Sequence, residues 1–302
     1  MTDAQSNSAA LAVPPLDRST FVGASDVASI LGVGYRSAID TWLEKTRQLP
    51  PRDHEPEFFY WGKKHEALIA AEYALRNNRS LAYAGDANRA HRELPVLHAS
   101  PDFLIEAIAP GESVGALDCK TVGEYRKHEW HDGPPIAYLI QVQSQLEVFD
   151  LDFGALAALI GGNHYRNYHL ERDRELGALI LDEVRGFWQL VENRTPPPPT
   201  ASRRCREALK RLYPRDDGEA VELPAEAATW ARQRAALKVA AKSLDAQLVE
   251  LDNQIVAAIG SASYGVIPGG GHFSHRVQTR KGYSVEPTEF RVLRHLDRDL
   301  NQ

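Results

Sequence analysis

The chain of 302 residues has only two cysteines, Cys119 and Cys205. That excludes a disulfide framework and a four-cysteine zinc or iron–sulfur site, and it suits a reducing cytosol. No apolar run approaches the roughly eighteen residues of a membrane-spanning helix, so no membrane partner is expected. Residues 1–12 have neither a basic start nor an apolar core and do not form a secretory signal. Residues 1–15 read as a disordered leader. There is no G-x-x-x-x-G-K-[ST] phosphate loop, so any motor would be another chain. Positive charge is not in excess either: 35 Lys and Arg face 41 Asp and Glu, a net −6. A protein that coats nucleic acid without regard to sequence is usually basic. The acidic total argues against such bulk binding, but not against a carboxylate-bearing site with local basic patches.

What is present centres on residues 98–121. Two short apolar runs, 98–105 and 115–121, flank a connection bearing Pro110 and Gly111, the pattern of two strands joined by a turn region. Alternation along the second strand puts Asp118 and Lys120 on one face and Leu117, Cys119 and Thr121 on the other. Pro101 suits a bend or a strand edge just before Asp102. Pairing of the two strands brings Asp102 toward Asp118. Converging carboxylates repel unless a cation joins them, and Lys120 or a divalent metal would serve. Taken alone, Asp-x-Lys reads first as a surface ion pair, because such triplets are common.

The remaining chain gives further pieces. Residues 19–32 read as a turn into a helix, where Ser25 is either an N-cap or, with the Gly23-Ala24-Ser25 approach, an anion contact. A second helix over 35–49 is capped by Ser37, with Ile39, Trp42 and Leu43 inward. In a helix over 58–77, Glu66 shares a face with Ile69, Ala70 and Tyr73. It pairs there with Lys63 or Arg89, or meets a metal. Residues 81–93 give weak strand signals. Residues 124–133 mix His128, Trp130 and His131 with polar residues, as a mobile loop over a site would. A helix from Pro134-Pro135 to Phe149 carries a polar stripe of Tyr138, Gln141 and Gln145. Strands over 154–160 and 165–170 flank Gly161-Gly162-Asn163. An amphipathic helix over 173–192 precedes the stiff spacer 196–199.

Ser100-Pro101-Asp102, followed sixteen positions on by Asp118-Cys119-Lys120, resembles the PD-(D/E)xK nuclease signature. More narrowly, the chain resembles the YqaJ-like viral recombinase family, the lambda-type exonucleases. Four further blocks match in order: Arg18 with 22–26, Trp61-Gly62-Lys63-Lys64-His65-Glu66, Tyr138 with Gln141-Val142-Gln143, and the strand pair before Arg172-Asp173. The resemblance implies an α/β fold of restriction-endonuclease-like type, a mixed central sheet flanked by helices, over residues 16–195. It implies a Mg²⁺-dependent DNA exonuclease, with Mn²⁺ able to substitute, working 5′-to-3′ on linear double-stranded DNA ends for phage-type recombination. The alternative is a catalytically weak end-binding or scaffolding protein of the same fold. A nuclease subunit linked to a helicase on another chain is a third reading. Asp102, Asp118, the Cys119 backbone carbonyl and Glu66 become metal ligands, Lys120 a catalytic cation, Gln141 the glutamine facing the site, and Arg18 and Ser25 phosphate contacts. The family often has Glu where this chain has Asp118, one methylene shorter. Implied partners are duplex DNA ends, a single-strand annealing recombinase and further copies of the chain, in the cytoplasm of a bacterial or phage-infected cell.

Residues 196–302 differ in kind and read as an accessory region. Arg203, Arg204, Arg206, Lys210, Arg211 and Arg215 form a basic patch. A long helix pattern over 225–259 ends at Gly260. Strand-like pieces over 264–280 surround Gly269-Gly270-Gly271, and Arg276, Arg280, Lys281, Arg291 and Arg294 make the end basic again. This region reads equally as solvated surface or a DNA grip, with self-association as a further alternative.

Overall fold

The computed structural model describes residues 17–49, 56–109, 112–281, 291 and 293. The expected leader, 1–15, and Arg294 lie outside them. The chain divides into two compact units, 1–212 and 213–302.

The first unit starts with a 3-10 turn, Arg18–Thr20, then β1 (Val22–Gly23), α1 (Ala24–Ile30), α2 (Ala38–Lys45) and α3 (Glu57–Asn77). Next come β2 (Leu81–Tyr83), β3 (Arg89–Ala90), β4 (Leu97–Ala99), β5 (Phe103–Ile105) and β6 (Gly115–Val122). A 3-10 helix, Glu124–Trp130, leads into α4 (Ile136–Phe149), β7 (Phe153–Ile160), β8 (His164–Glu171), α5 (Arg174–Glu192) and α6 (Arg203–Leu212). The second unit holds α7 (Ala227–Ile259), β9 (Tyr264–Val266) and β10 (His272–Ser274), the two strands forming an antiparallel hairpin.

The main sheet has the order β2-β5-β6-β7-β8. Only β6 and β7 run parallel, and α4 connects them, since parallel neighbours need a crossover. The sheet is therefore mixed and flanked by helices, as expected. Alternation along β6 fixes what covers each face. Leu117 and Cys119 pack with Ile69, Ala70 and Tyr73 of α3. Ala116 and Val122 pack with Val142 and Leu146 of α4. Leu117, Leu146 and Leu156 expose no surface, and burial of each contributes roughly 1.5–3 kcal/mol. The β7–β8 hairpin turns through Gly161 and Gly162, both at positive φ (62° and 78°), which glycine adopts without a Cβ clash.

A smaller sheet, β1-β4-β3, pairs Gly23 with His98. Here the structure corrects the reading of 98–105 as one strand. Leu97–Ala99 and Phe103–Ile105 are strands of two different sheets, because Pro101 cannot donate to a ladder and the chain steps from one to the other across it. The helix expected over 35–49 is shorter, Ala38–Lys45, with Ser37 accepting from Asp40 N–H as its cap. Residues 124–130 are not an open loop. They form the 3-10 helix, with Trp130 buried against α4 and Glu129 accepting from Tyr35 Oη at 2.9 Å.

The first unit continues past the proline run. Cys205 and Ala208 of α6 are buried in the same cluster as Trp42 and Leu43. Arg211 pairs with Asp40, and Arg204 donates to the Gly34 carbonyl. Two cations of the expected basic patch thus fasten α6 to the fold.

Candidate active site

Strand β5 begins opposite Leu117, the third residue of β6, and leaves the rest of β6 unpaired on that side. Phe103 is the partner of Leu117, yet Asp102 N–H also donates to the Leu117 carbonyl at 3.1 Å. Two residues therefore face one, the irregularity that re-aims a side chain at a strand end. The Asp102 side chain turns along β6, and its Oδ2 accepts from Cys119 N–H at 2.6 Å. In a strand the N–H and C=O of one residue point the same way. The Cys119 carbonyl therefore also leaves β6 on this side, beyond the start of β5.

Asp118 projects toward α4 and is only 1% exposed. One oxygen, Oδ1, accepts from Gln141 Nε2 at 2.8 Å and Gln145 Nε2 at 2.9 Å. The other, Oδ2, meets the Lys120 ammonium. Lys120 Nζ also lies over the Tyr138 ring, 5.3 Å from its centre. Burial works against the Lys120 charge, but Asp118 and Asp102 outweigh it and hold the ammonium above its usual range. Burial first, and then the neighbouring Asp118, push the Asp102 carboxyl up to about 8. Glu66 is likewise raised by burial, with Lys120 opposing and Asp118 adding to the shift. The three carboxylates thus share one field around Lys120, with Lys63 also acting on Glu66. Arg89, an alternative partner for Glu66, lies over the Phe149 ring instead.

This donor set suits a hard cation. Carboxylate and carbonyl oxygens are Mg²⁺ ligands, and besides burial the neighbouring Asp118 carboxylate raises Asp102, a repulsion that a cation between them would relieve. Among the described residues no three Asp, Glu, His or Cys side chains stand at metal-binding spacing, so these groups form no closed cage. His128 Nδ1 lies 3.0 Å from the Tyr125 carbonyl, and His131 pairs with Asp132.

The second expected group lies at the start of α1. Arg18 Nη2 donates to Ser25 Oγ at 3.3 Å and to Asp26 Oδ2 at 3.1 Å. The N-cap is Gly23, not Ser25, and Ser25 is exposed. The Gly23 N–H, expected to face an anion, is held by Asp26 Oδ2 at 3.1 Å. Asp26 is buried. Burial would raise its pKa, but Lys45 at 2.8 Å and Arg18 prevail and hold it below the usual carboxylate value.

A cavity of about 640 Å³ lies between the second group and the two amides that hold Asp118. Arg18 and Ser25 line it, as do Gln141 and Gln145, together with Asn88 and His98. His98 stacks on Phe21 at 4.3 Å, and its Nδ1 is 2.7 Å from Asn88 Nδ2. Burial holds its pKa down. Sequence reasoning missed Asn88 and His98, and it left Gln145 unassigned although it noted the stripe. For Gln145 the signal was its four-residue offset from Gln141.

Residues 16–152 match the YqaJ-like viral recombinase domain. The uncharacterized protein YqaJ of Bacillus subtilis (strain 168) is 30% identical over 280 residues, 88% of this chain and 85% of its own length. Among solved structures, an alkaline exonuclease (LHK-Exo) from Laribacter hongkongensis is 19% identical with a TM-score of 0.48, covering 59% of this chain and 90% of that one. Its complex with dAMP is 20% identical with the same TM-score, covering 65% and 95%. From the domain match and the extended identity to the Bacillus protein, the chain belongs to the YqaJ-like viral recombinase family.

Proposed function

We propose that the protein is a divalent-metal-dependent DNA exonuclease. In this reading it acts 5′-to-3′ on linear double-stranded ends and leaves a single strand for an annealing recombinase, in the cytoplasm of a bacterial or phage-infected cell. The observation that carries the proposal is a cavity lined both by Arg18 and Ser25 and by Gln141 and Gln145, the amides that hold Asp118. The proposed phosphate contacts thus share a space with the two amides that hold Asp118 of the carboxylate–lysine centre.

Asp102, Asp118, the Cys119 carbonyl and Glu66 would hold Mg²⁺, or Mn²⁺ in its place. Such an ion supplies Lewis-acid polarisation of a phosphate oxygen and makes water a stronger nucleophile at neutral pH. The residues do the rest. Lys120, held by Asp118, offsets charge developing on the phosphate and orients the attacking water. Gln141 and Gln145 fix the orientation of the Asp118 carboxylate by two donated hydrogen bonds. Arg18 and Ser25 take the phosphate at a strand end. Residues 16–195 carry this chemistry, α6 completes their packing, and the region beyond is accessory. The alternative, an end-binding protein without catalysis, gives no role to Lys120 paired with Asp118.

The test is incubation of end-labelled linear duplex and closed circular duplex with Mg²⁺, then with EDTA. Loss of label from the linear form alone, stopped by EDTA, is expected. Cutting of closed circles would defeat the exonuclease reading, and EDTA-resistant cleavage would defeat the metal.

A further inference from the structure

Helix α7 is the longest element of the protein, and none of its residues is buried. Its sequence has a seven-residue beat. Trp230, Leu237, Leu244 and Leu251 recur at that interval. So do Ala227, Arg234, Ala241, Leu248 and Ile255, each three places before or four places after a member of the first series. The two series occupy the two seam positions of a heptad. A helix cannot bury such a seam by itself. Leu237, Leu244, Leu248 and Leu251 each expose more than half of their surface.

The charges indicate what covers it. Arg232, Arg234, Lys238 and Lys242 lie in the first half of the helix, with no acidic residue among them. Asp245, Glu250 and Asp252 lie in the second half, with no basic one. Parallel pairing of two copies would set base against base and acid against acid. Antiparallel pairing sets the basic half of each copy against the acidic half of the other, and charges flanking the seam choose orientation in this way. One register satisfies both requirements along the whole helix. Leu237 of one copy lies against Leu248 of the other, Leu244 against Ala241, and Trp230 against Ile255. Lys238 then flanks the seam beside Asp245 of the second copy. Arg234 is the one charged seam residue, and its aliphatic stem covers Leu251 while its head reaches the acidic half.

We infer that α7 is a self-association helix, which pairs with α7 of a second copy as an antiparallel two-stranded coiled coil. This stands independently of the nuclease reading. Sedimentation equilibrium of the full chain tests it. The double variant Leu244→Asp/Leu248→Asp is expected to have half the wild-type mass, with helix content measured alongside. An unchanged mass, or a wild type already at the mass of a single chain at tens of micromolar, would overturn the inference. Because that variant also perturbs the helix, charge reversal gives the second arm. Lys238→Asp places acid against acid at two symmetric contacts and is expected to weaken association about tenfold. Adding Asp245→Lys is expected to restore it. Failure of the rescue would overturn the antiparallel pairing.

Discussion

Gln145, on the buried face of α4, donates its amide to Asp118 Oδ1 at 2.9 Å, beside the equivalent bond from Gln141 at 2.8 Å. Both donors meet one carboxylate oxygen, which leaves Oδ2 to Lys120. The amide fixes the orientation of the carboxylate from behind. Gln145→Ala is therefore expected to lower the cleavage rate at saturating substrate by about tenfold, the scale of one hydrogen bond to a charged group. The Michaelis constant should change little, because Gln145 holds a catalytic group in place. A purely structural role would lower the melting temperature and spare the rate.

Asp118→Asn and Lys120→Ala are each expected to reduce the Mg²⁺-dependent rate by at least about a hundredfold, the usual cost of one preorganised electrostatic group. Circular dichroism should show both variants folded. Near-wild-type cleavage by either, in a preparation free of contaminating nuclease, would remove the pair from the mechanism.

Arg18 bears on end recognition. A terminal phosphate monoester carries more charge and more free oxygens than an internal diester, so Arg18 with Ser25 should favour the terminus. Linear duplex with a 5′-phosphate is expected to be digested roughly tenfold faster than duplex with a 5′-hydroxyl. Arg18→Ala should erase most of that preference and leave slow cleavage. Equal rates on both ends with the wild type would defeat the pocket without touching the nuclease.

Asp26 makes the same region sensitive to acid. Its carboxyl is held below its ordinary value of 3.8, because Lys45 and Arg18 outweigh the cost of burial. Since the native value is the lower one, the stabilisation is fully present above 3.8 and fades as pH falls through the native value. Asp26→Asn leaves Lys45 buried beside a neutral amide and is expected to cost roughly 3 kcal/mol at neutral pH. Urea unfolding at pH 7 and below pH 4 measures both effects. The variant should lose the acid-dependent part, and an unchanged difference between the two proteins across that range would count against the ion pair.

The end of the first unit predicts how truncation behaves. Removal of residues 213–302 should leave the first unit folded. A cut after Pro199 also removes Cys205 and Ala208 from the core. Each kcal/mol lost there lowers the melting temperature by about 2–4 °C in a unit of this size. If the second unit grips DNA, the shorter truncation should also flatten the salt dependence of binding, because fewer phosphates are neutralised. An unchanged slope would assign that region to assembly alone.

Much of this was legible in the sequence because it is local. The apolar stripe of α5, the glycine turn of the β7–β8 hairpin and the alternation that puts Asp118 with Lys120 all follow from spacing. The rest depends on long-range pairing. Residues 98–105 read as one apolar strand, and only the partner strands reveal that Pro101 divides two sheets. His98 reaches the cavity because β4 pairs with β1, far away in the chain. Gln145 is ambiguous by type, since a glutamine stripe fits water as well as a buried carboxylate, and the fold decides between them.

The late start of β5 has a consequence for solubility as well. Beyond Phe103, β6 would offer its free ladder groups to any extended chain that met it, which is how edge strands recruit foreign strands and aggregate. Asp102 closes that opening. Its carboxyl oxygen occupies the Cys119 N–H and puts a side chain where an incoming backbone would have to lie. The residue proposed to bind metal thus also caps the seam through which one molecule could be stitched to the next.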